Sequence, residues 1–149
     1  MAEPPDSASD DRPTMAPFLG ALAIIVIVVI AIALFNVFGG DGLNEGQRVG
    51  RAAVGQNDAL QRQNFADFRS YTCRAWQGTE ADVLARQRDS TAKHGARFVD
   101  DVAAVAIDGD RATGTVTYHF DKAPDTKTAA AMTFVREDGS WKVCSTGPS

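Results

Sequence analysis

From Phe18 to Phe38 the chain reads FLGALAIIVIVVIAIALFNVF, with no charge and with Asn36 as its one strongly polar side chain. Twenty-one residues in a helix reach roughly 31 Å, close to the ~30 Å hydrocarbon thickness of a bilayer. Hydrocarbon offers no partner to a backbone N–H or C=O, so an apolar run of this length is expected as one helix. A buried helix of a water-soluble core is the bland alternative, but such a helix normally keeps a polar stripe. A cleaved leader is the other: Ala31-Ile32-Ala33 has the small-x-small shape of a cleavage site, yet it lies inside the run. Leader cores are shorter, ~7–15 residues, and follow a basic segment. Here the preceding segment is acidic. The expectation is a retained single-pass anchor at 18–38, with the lipid bilayer as its partner.

The run divides the chain into unlike pieces. Residues 1–17 hold one basic residue, Arg12, against four acids, with four prolines and no apolar period. Such a tail cannot bury enough surface to offset its ordering entropy and is expected to be disordered. Gly39-Gly40-Asp41-Gly42 reads as a hinge, within a linker at 39–44. Residues 45–146 have the length of one small domain, and 147–149 are expected as a short tail. The whole chain carries 15 basic and 19 acidic residues, net −4. That balance argues against nucleic acid, which needs a clustered basic surface.

Within the domain the apolar period is first helical. Val49, Ala52 and Ala53 form a short stripe, although Gly46, Gly50 and Gly55 each weaken a helix by ~1 kcal/mol relative to Ala. Asn57 can cap a second helix that places Leu60, Phe65, Phe68 and Thr72 on one face and ends near Cys73. Thr79-Glu80-Ala81-Asp82 opens a third, with Val83, Leu84 and Gln87 inward and Gly95 as its stop.

From Val99 the period becomes two. In RATGTVTYHF, residues 111–120, Ala112, Gly114, Val116, Tyr118 and Phe120 share one side, and three threonines and His119 the other. Asp108-Gly109-Asp110 turns an earlier strand, Val102–Ile107, into it. A third strand is expected at Ala129–Val135, and Glu137-Asp138-Gly139-Ser140 turns it into a fourth at Trp141–Cys144. Lys122–Asp125, with Pro124, connects the two hairpins. Helices first and a meander after make an α+β domain: about three helices on one face of a curved four-stranded antiparallel sheet.

Cys73 and Cys144 are the two cysteines. They are either two unrelated buried thiols or a bond closing a 71-residue loop, which the chain-entropy estimate values at about 4 kcal/mol. A bond would fit an oxidising compartment.

The order of these features resembles a known family. Asp58-Ala59-Leu60, Tyr71-Thr72-Cys73, VAIDGDRA at Val105–Ala112 and above all REDGSWKVC at Arg136–Cys144 resemble the actinobacterial, mycobacterial-type single-pass membrane proteins with a small extracytoplasmic domain of the nuclear-transport-factor-2-like (NTF2-like) kind. These are akin to lumazine-binding-like (DUF4878-like) and low-molecular-weight secreted antigen domains, and more distantly to membrane proteins associated with mammalian-cell-entry clusters. The resemblance spans residues 18–146. It implies a cone-shaped fold, a Cys73–Cys144 bridge from helix to last strand, and an extracytoplasmic domain. Arg48 and Arg51 after the apolar run against Arg12 before it point the other way by the positive-inside rule. The short polar tail, the cysteine pair and the resemblance outweigh them, so the N-terminus is expected in the cytoplasm.

Chemistry is sparse. An isomerase in such a cone needs a buried carboxylate base opposite a phenol. The candidates are Asp67 with Tyr71 or Tyr118, with exposure the expected fate of Asp67 and a core position that of Tyr118. His119 reads as a surface residue, and His94 as a helix C-terminal residue favoured by the dipole. No nucleophile elbow, phosphate loop or metal spacing occurs, so no catalytic residue, metal or cofactor is assigned. The expectation is a non-catalytic envelope domain presenting a sheet face or a cone pocket to an envelope protein, a lipid or a small apolar ligand. Phe68, Tyr71, Tyr118, Phe120 and Trp141 are expected to line that pocket. A homodimer through the sheet face and an isomerase or dehydratase are the alternatives.

Overall fold

The computed structural model describes residues 16–38 and 42–148, with side chains for 20–34 and 42–148. The tail expected over 1–17 lies outside these residues up to Met15, as do 39–41 of the linker and Ser149. The chain forms two units, Met1–Gly42 and Leu43–Ser149.

The first unit contains helix α1, Ala16–Phe38, of 23 residues. Its described side chains, 20–34, are all exposed, including Leu22, Ile25, Ile27 and Val29. That stretch spans only ~22 Å at 1.5 Å per residue. Among the described residues no helix is long and apolar enough to cross a membrane, so the expected crossing at 18–38 is not established by them. The complete helix would reach ~34 Å.

In the second unit α2, Glu45–Gln61, begins with a capping box. Asn44 Oδ1 accepts from the Gln47 N–H, and Gln47 Oε1 accepts from the Asn44 N–H, both at 2.9 Å. Val49, Ala52, Ala53 and Ala59 are its buried stripe. The helix continues through Asn57, which is buried and caps nothing. The break comes at Gln63, whose φ of 54° no helix accommodates. Asn64 then caps α3, Phe65–Tyr71, its Oδ1 accepting from the Asp67 N–H at 3.0 Å. A single 3-10 turn, Arg74–Trp76, precedes α4, Glu80–His94, which Thr79 caps and Gly95 ends with φ 81°.

The sheet is a meander in the order β1-β2-β3-β4, formed by Arg97–Asp108, Arg111–Phe120, Ala123–Glu137 and Ser140–Val143. β2 alternates as its sequence predicts, with Ala112, Gly114, Val116 and Tyr118 buried. β1 does not. Register shifts between Val99 and Asp101 and between Ala103 and Ala106 each insert residues, so that Val99, Val102 and Val105 face the core at spacings of three. β3 starts six residues before its expected Ala129, at Ala123, because Phe120 pairs with Ala123 and Tyr118 with Thr128. Pro124 is tolerated there because β4 pairs only with Phe134–Glu137 and leaves the rest of that edge open. Asp138 and Gly139, both with positive φ, make the tight turn into β4.

The main core joins Val49, Ala52 and Ala53 to Val116, Tyr118, Met132, Phe134, Trp141 and Val143. Cys73 and Cys144 are disulfide-bonded, with Cα atoms 5.3 Å apart. The Cys73 N–H also donates to the Val143 carbonyl at 2.9 Å, so the end of α3 is tied to β4 by backbone as well as sulfur.

Candidate functional site

A second, smaller apolar cluster of Ala59, Phe68 and Val83, with Leu60 and Phe65 packed on it, joins α2, α3 and α4 away from the main core. Beside it opens a cavity of about 420 Å³. Leu60, Phe68 and Val83 form its apolar wall, and Trp76, half exposed, stands on its border. Gln56, Thr72 and Gln87 are the buried polar lining. Gln56 Nε2 donates to Thr72 Oγ1 at 2.9 Å, and Thr72 Oγ1 donates onward to the Phe68 carbonyl at 2.7 Å. The last described residues, Ser145 to Pro148, close one side.

Two cations line this cavity, Arg86 from α4 and Arg97 from the start of β1, and no carboxylate does. Arg97 is partly buried and firmly held. Its Nε donates to Asn57 Oδ1 at 2.8 Å, while Asn57 Nδ2 donates back to the Arg97 carbonyl at 3.0 Å. Its backbone N–H donates to Gln61 Oε1 at 3.2 Å, and Nη1 donates to the Pro148 carbonyl. The guanidinium lies 5.0 Å from the centre of the Tyr118 ring. Burial lowers the Arg97 pKa, opposed by Tyr118; burial raises that of Tyr118, opposed by Arg97. Among the described residues Arg97 forms no ion pair.

Of the five residues expected to line a pocket, Phe68 does. Tyr71 lies against α2 at Gly55, where an added Cβ would come within 2.6 Å of its ring. Tyr118 sits behind Arg97 in the core, its hydroxyl donating to Met132 Sδ at 3.0 Å. Phe120 packs on His94, their rings 5.1 Å apart. Trp141 is buried under Arg136, and its Nε1 donates to Glu45 Oε2 at 2.9 Å. All four were expected inward: Tyr118 and Trp141 fill the core, Phe120 is partly buried against the exposed His94, and Tyr71 covers α2.

The carboxylate–phenol pair is not assembled. Asp67 is a half-exposed partner of Arg62 at 3.0 Å and of Asn64 Nδ2 at 3.0 Å, away from the cavity lining. His119 lies on the opposite sheet face, where its Nδ1 is 2.9 Å from Asp100 and its ring stacks on Phe98. The hydrogen bond from His119 chiefly, and that from Lys127, holds the Asp100 carboxyl below its ordinary pKa against the opposing effect of burial. No metal-holding group of His, Cys, Asp or Glu occurs among the described residues. The residues that sequence reasoning missed are Arg97, Arg86 and Asn57. Arg97 had a signal: side chains two apart on a strand share a face, and Val99 is inward.

A family model described as the C-terminal domain of the low molecular weight antigen MTB12 matches residues 77–146, the stretch that holds α4 and the sheet. No curated protein matches the chain. A candidate dehydratase of the NTF2-like family from Streptomyces avermitilis superposes with a TM-score of 0.47 at 21% identity, over 66% of this chain and 90% of its own. A Mycobacterium tuberculosis protein of unknown function gives 0.47 at 14% identity, over 65% and 66%. An epoxide hydrolase of the LEH-like kind from M. tuberculosis gives 0.41 at 16% identity, over 68% and 84%.

Proposed function

We propose that this protein is a membrane-tethered, non-catalytic binding domain of the cell envelope. On this reading α1 is the anchor, residues 43–148 are an NTF2-like cone outside the membrane, and the cavity among α2, α3 and α4 receives a small ligand. The observation that carries the reading is the cavity itself: about 420 Å³, walled by apolar side chains and convergent polar ones, with no carboxylate in its lining. Base-catalysed isomerisation needs a proton acceptor at the substrate, and the acid candidate, Asp67, is spent on Arg62 in solvent. The exposed apolar side chains at 20–34 of α1 support the tether, and the Cys73–Cys144 bond supports an oxidising location. Tethering a binding module to a surface raises its effective concentration toward anything else held there.

Two measurements test this. Alkaline phosphatase fused after the last residue, a reporter active only outside the cytoplasm, is expected to be active; an inactive fusion of full length removes the location. Native mass spectrometry of the gently extracted full chain is expected to show a small-molecule adduct that Ser90→Trp, which fills the cavity, abolishes. An adduct that persists in that variant places the ligand elsewhere and ends the cavity reading.

A further inference from the structure

Among the described residues Arg97 is a positioned cation with no counter-charge. Its two side-chain acceptors, Asn57 Oδ1 and the Pro148 carbonyl, are neutral. They orient the guanidinium without supplying a counter-charge. Taking a cation partly out of water costs free energy that only an opposite charge or full hydrogen bonding recovers. A guanidinium offers five N–H donors in a planar fork, suited to the two oxygens of one oxyanion. Two of those donors are used as above, and the residue lines the cavity.

The surroundings are built for close approach. Gly147 passes so near that a Cβ there would sit 3.4 Å from the Tyr118 hydroxyl and 3.5 Å from Arg97 Nη1. The strap Ser145–Pro148 is held at its base, since the Thr133 N–H donates to Ser145 Oγ at 3.0 Å and Cys144 is in the disulfide. Arg86, exposed and outside every ion pair of the described residues, adds a second positive charge to the lining. The same lining holds the apolar side chains of Leu60, Phe68 and Val83, the last on α4 with Arg86.

We propose that the cavity binds an organic acid of mixed character: a carboxylate or phosphate monoester received by Arg97, with Arg86 adding to the attraction, and an apolar body laid against Phe68, Leu60, Val83 and Trp76. The proposal rests on the reading of this cavity as a ligand site and names the chemistry of its ligand. Pre-oriented donors need no rearrangement on binding, which favours affinity.

The test is calorimetric titration of the full chain in phosphatidylcholine nanodiscs, with empty nanodiscs as blank. The probes are 2-naphthoate, 1-naphthyl phosphate, the neutral 2-naphthamide and inorganic phosphate. At least one naphthalene acid should bind about tenfold or more tighter than the amide, as expected for a hydrogen bond to a charged partner. Inorganic phosphate, lacking the apolar body, should bind more weakly than that acid, and which acid wins identifies the oxyanion. Arg97→Gln should lose about tenfold toward the acids and little toward the amide. Should Arg97→Gln lose its folded circular-dichroism signature, Arg86→Gln decides, because that side chain supports no other described contact in the fold. A loss of about threefold for the acids alone sustains the proposal, and unchanged binding overturns it. Equal binding of amide and acids overturns the anion preference while leaving a ligand cavity in place; absence of binding by every naphthalene probe removes both.

Discussion

At the scale of single residues, two side chains of the REDGSWKVC stretch, Arg136 and Trp141, meet one carboxylate more than ninety positions away in sequence. Glu45 Oε2 accepts from Trp141 Nε1 at 2.9 Å and from Arg136 Nη2 at 2.5 Å, while the Arg136 guanidinium lies 4.7 Å from the Trp141 ring centre. The first turn of α2 is thereby fastened to the last hairpin. The hydrogen bond from Trp141 chiefly, helped by Arg136 and Arg48 against the effect of burial, holds the Glu45 carboxyl below its ordinary 4.5. A carboxyl whose folded value is lowered stabilises fully above its unfolded value and loses that contribution as pH falls through the folded one. The urea midpoint should therefore drop between pH 5 and pH 3 by a smaller amount in Glu45→Gln than in the parent; equal drops would exclude Glu45 as a source. Asn57 has the same kind of hidden partner. Both ends of its amide hold Arg97 across forty positions of sequence. Asn57→Leu should cost about 1–3 kcal/mol in urea unfolding, since it strands polar groups of Arg97.

Among elements, the helices are held by what they approach rather than by their own propensity. Gly55 illustrates the reversal. In a solvent-facing helix Gly→Ala gains ~1 kcal/mol, but here the new Cβ would meet the Tyr71 ring at 2.6 Å. Gly55→Ala should instead destabilise by about 1–3 kcal/mol, the usual range for overpacking. Made in a Tyr71→Ala background, the same substitution should become neutral or stabilising; an additive double mutant would show that the two side chains are independent. The sheet shows the complementary case. The period-two pattern of β2 was readable because the extra residues of both its pairings fall on β1 and β3 and leave β2 itself regular. The spacing of three in β1 was not, because its bulges arise from pairing with β2 and leave no mark in local composition. Likewise the face of Leu60, Phe65, Phe68 and Thr72 was visible in sequence, while the break at Gln63 that divides it between α2 and α3 was not.

For the molecule as a whole, the disulfide closes a separation of 71 residues and joins the helical layer to the sheet. The Cys73→Ser, Cys144→Ser double variant should lose about 4 kcal/mol by the loop-entropy estimate, read from urea midpoints of folded and reduced samples. The unreduced parent, denatured and alkylated, should gain no adducts. Against a domain stability of order 5–15 kcal/mol that loss is large. The strap over the cavity begins at Cys144, so the same variant is expected to loosen Ser145–Pro148 and lower the protection of nearby amides to hydrogen exchange.

Sequence alone determined what depends on neighbours a few positions apart: the apolar rod at 18–38, the caps at Thr79 and Gly95, the alternation of β2, the turns at Gly109 and Gly139, and the layering of helices before a meander. Each follows from periodicity or backbone sterics that operate within one element. Tertiary structure decided the rest. Which inward side chains fill the core and which border a cavity depends on how closely α2, α3 and α4 approach one another. That placed Trp141, Tyr118 and Phe120 in contacts of their own and left Phe68 lining the cavity. Which groups reach the Arg97 guanidinium depends on chain segments distant in sequence, Asn57 and Pro148 among them, and no local pattern encodes that.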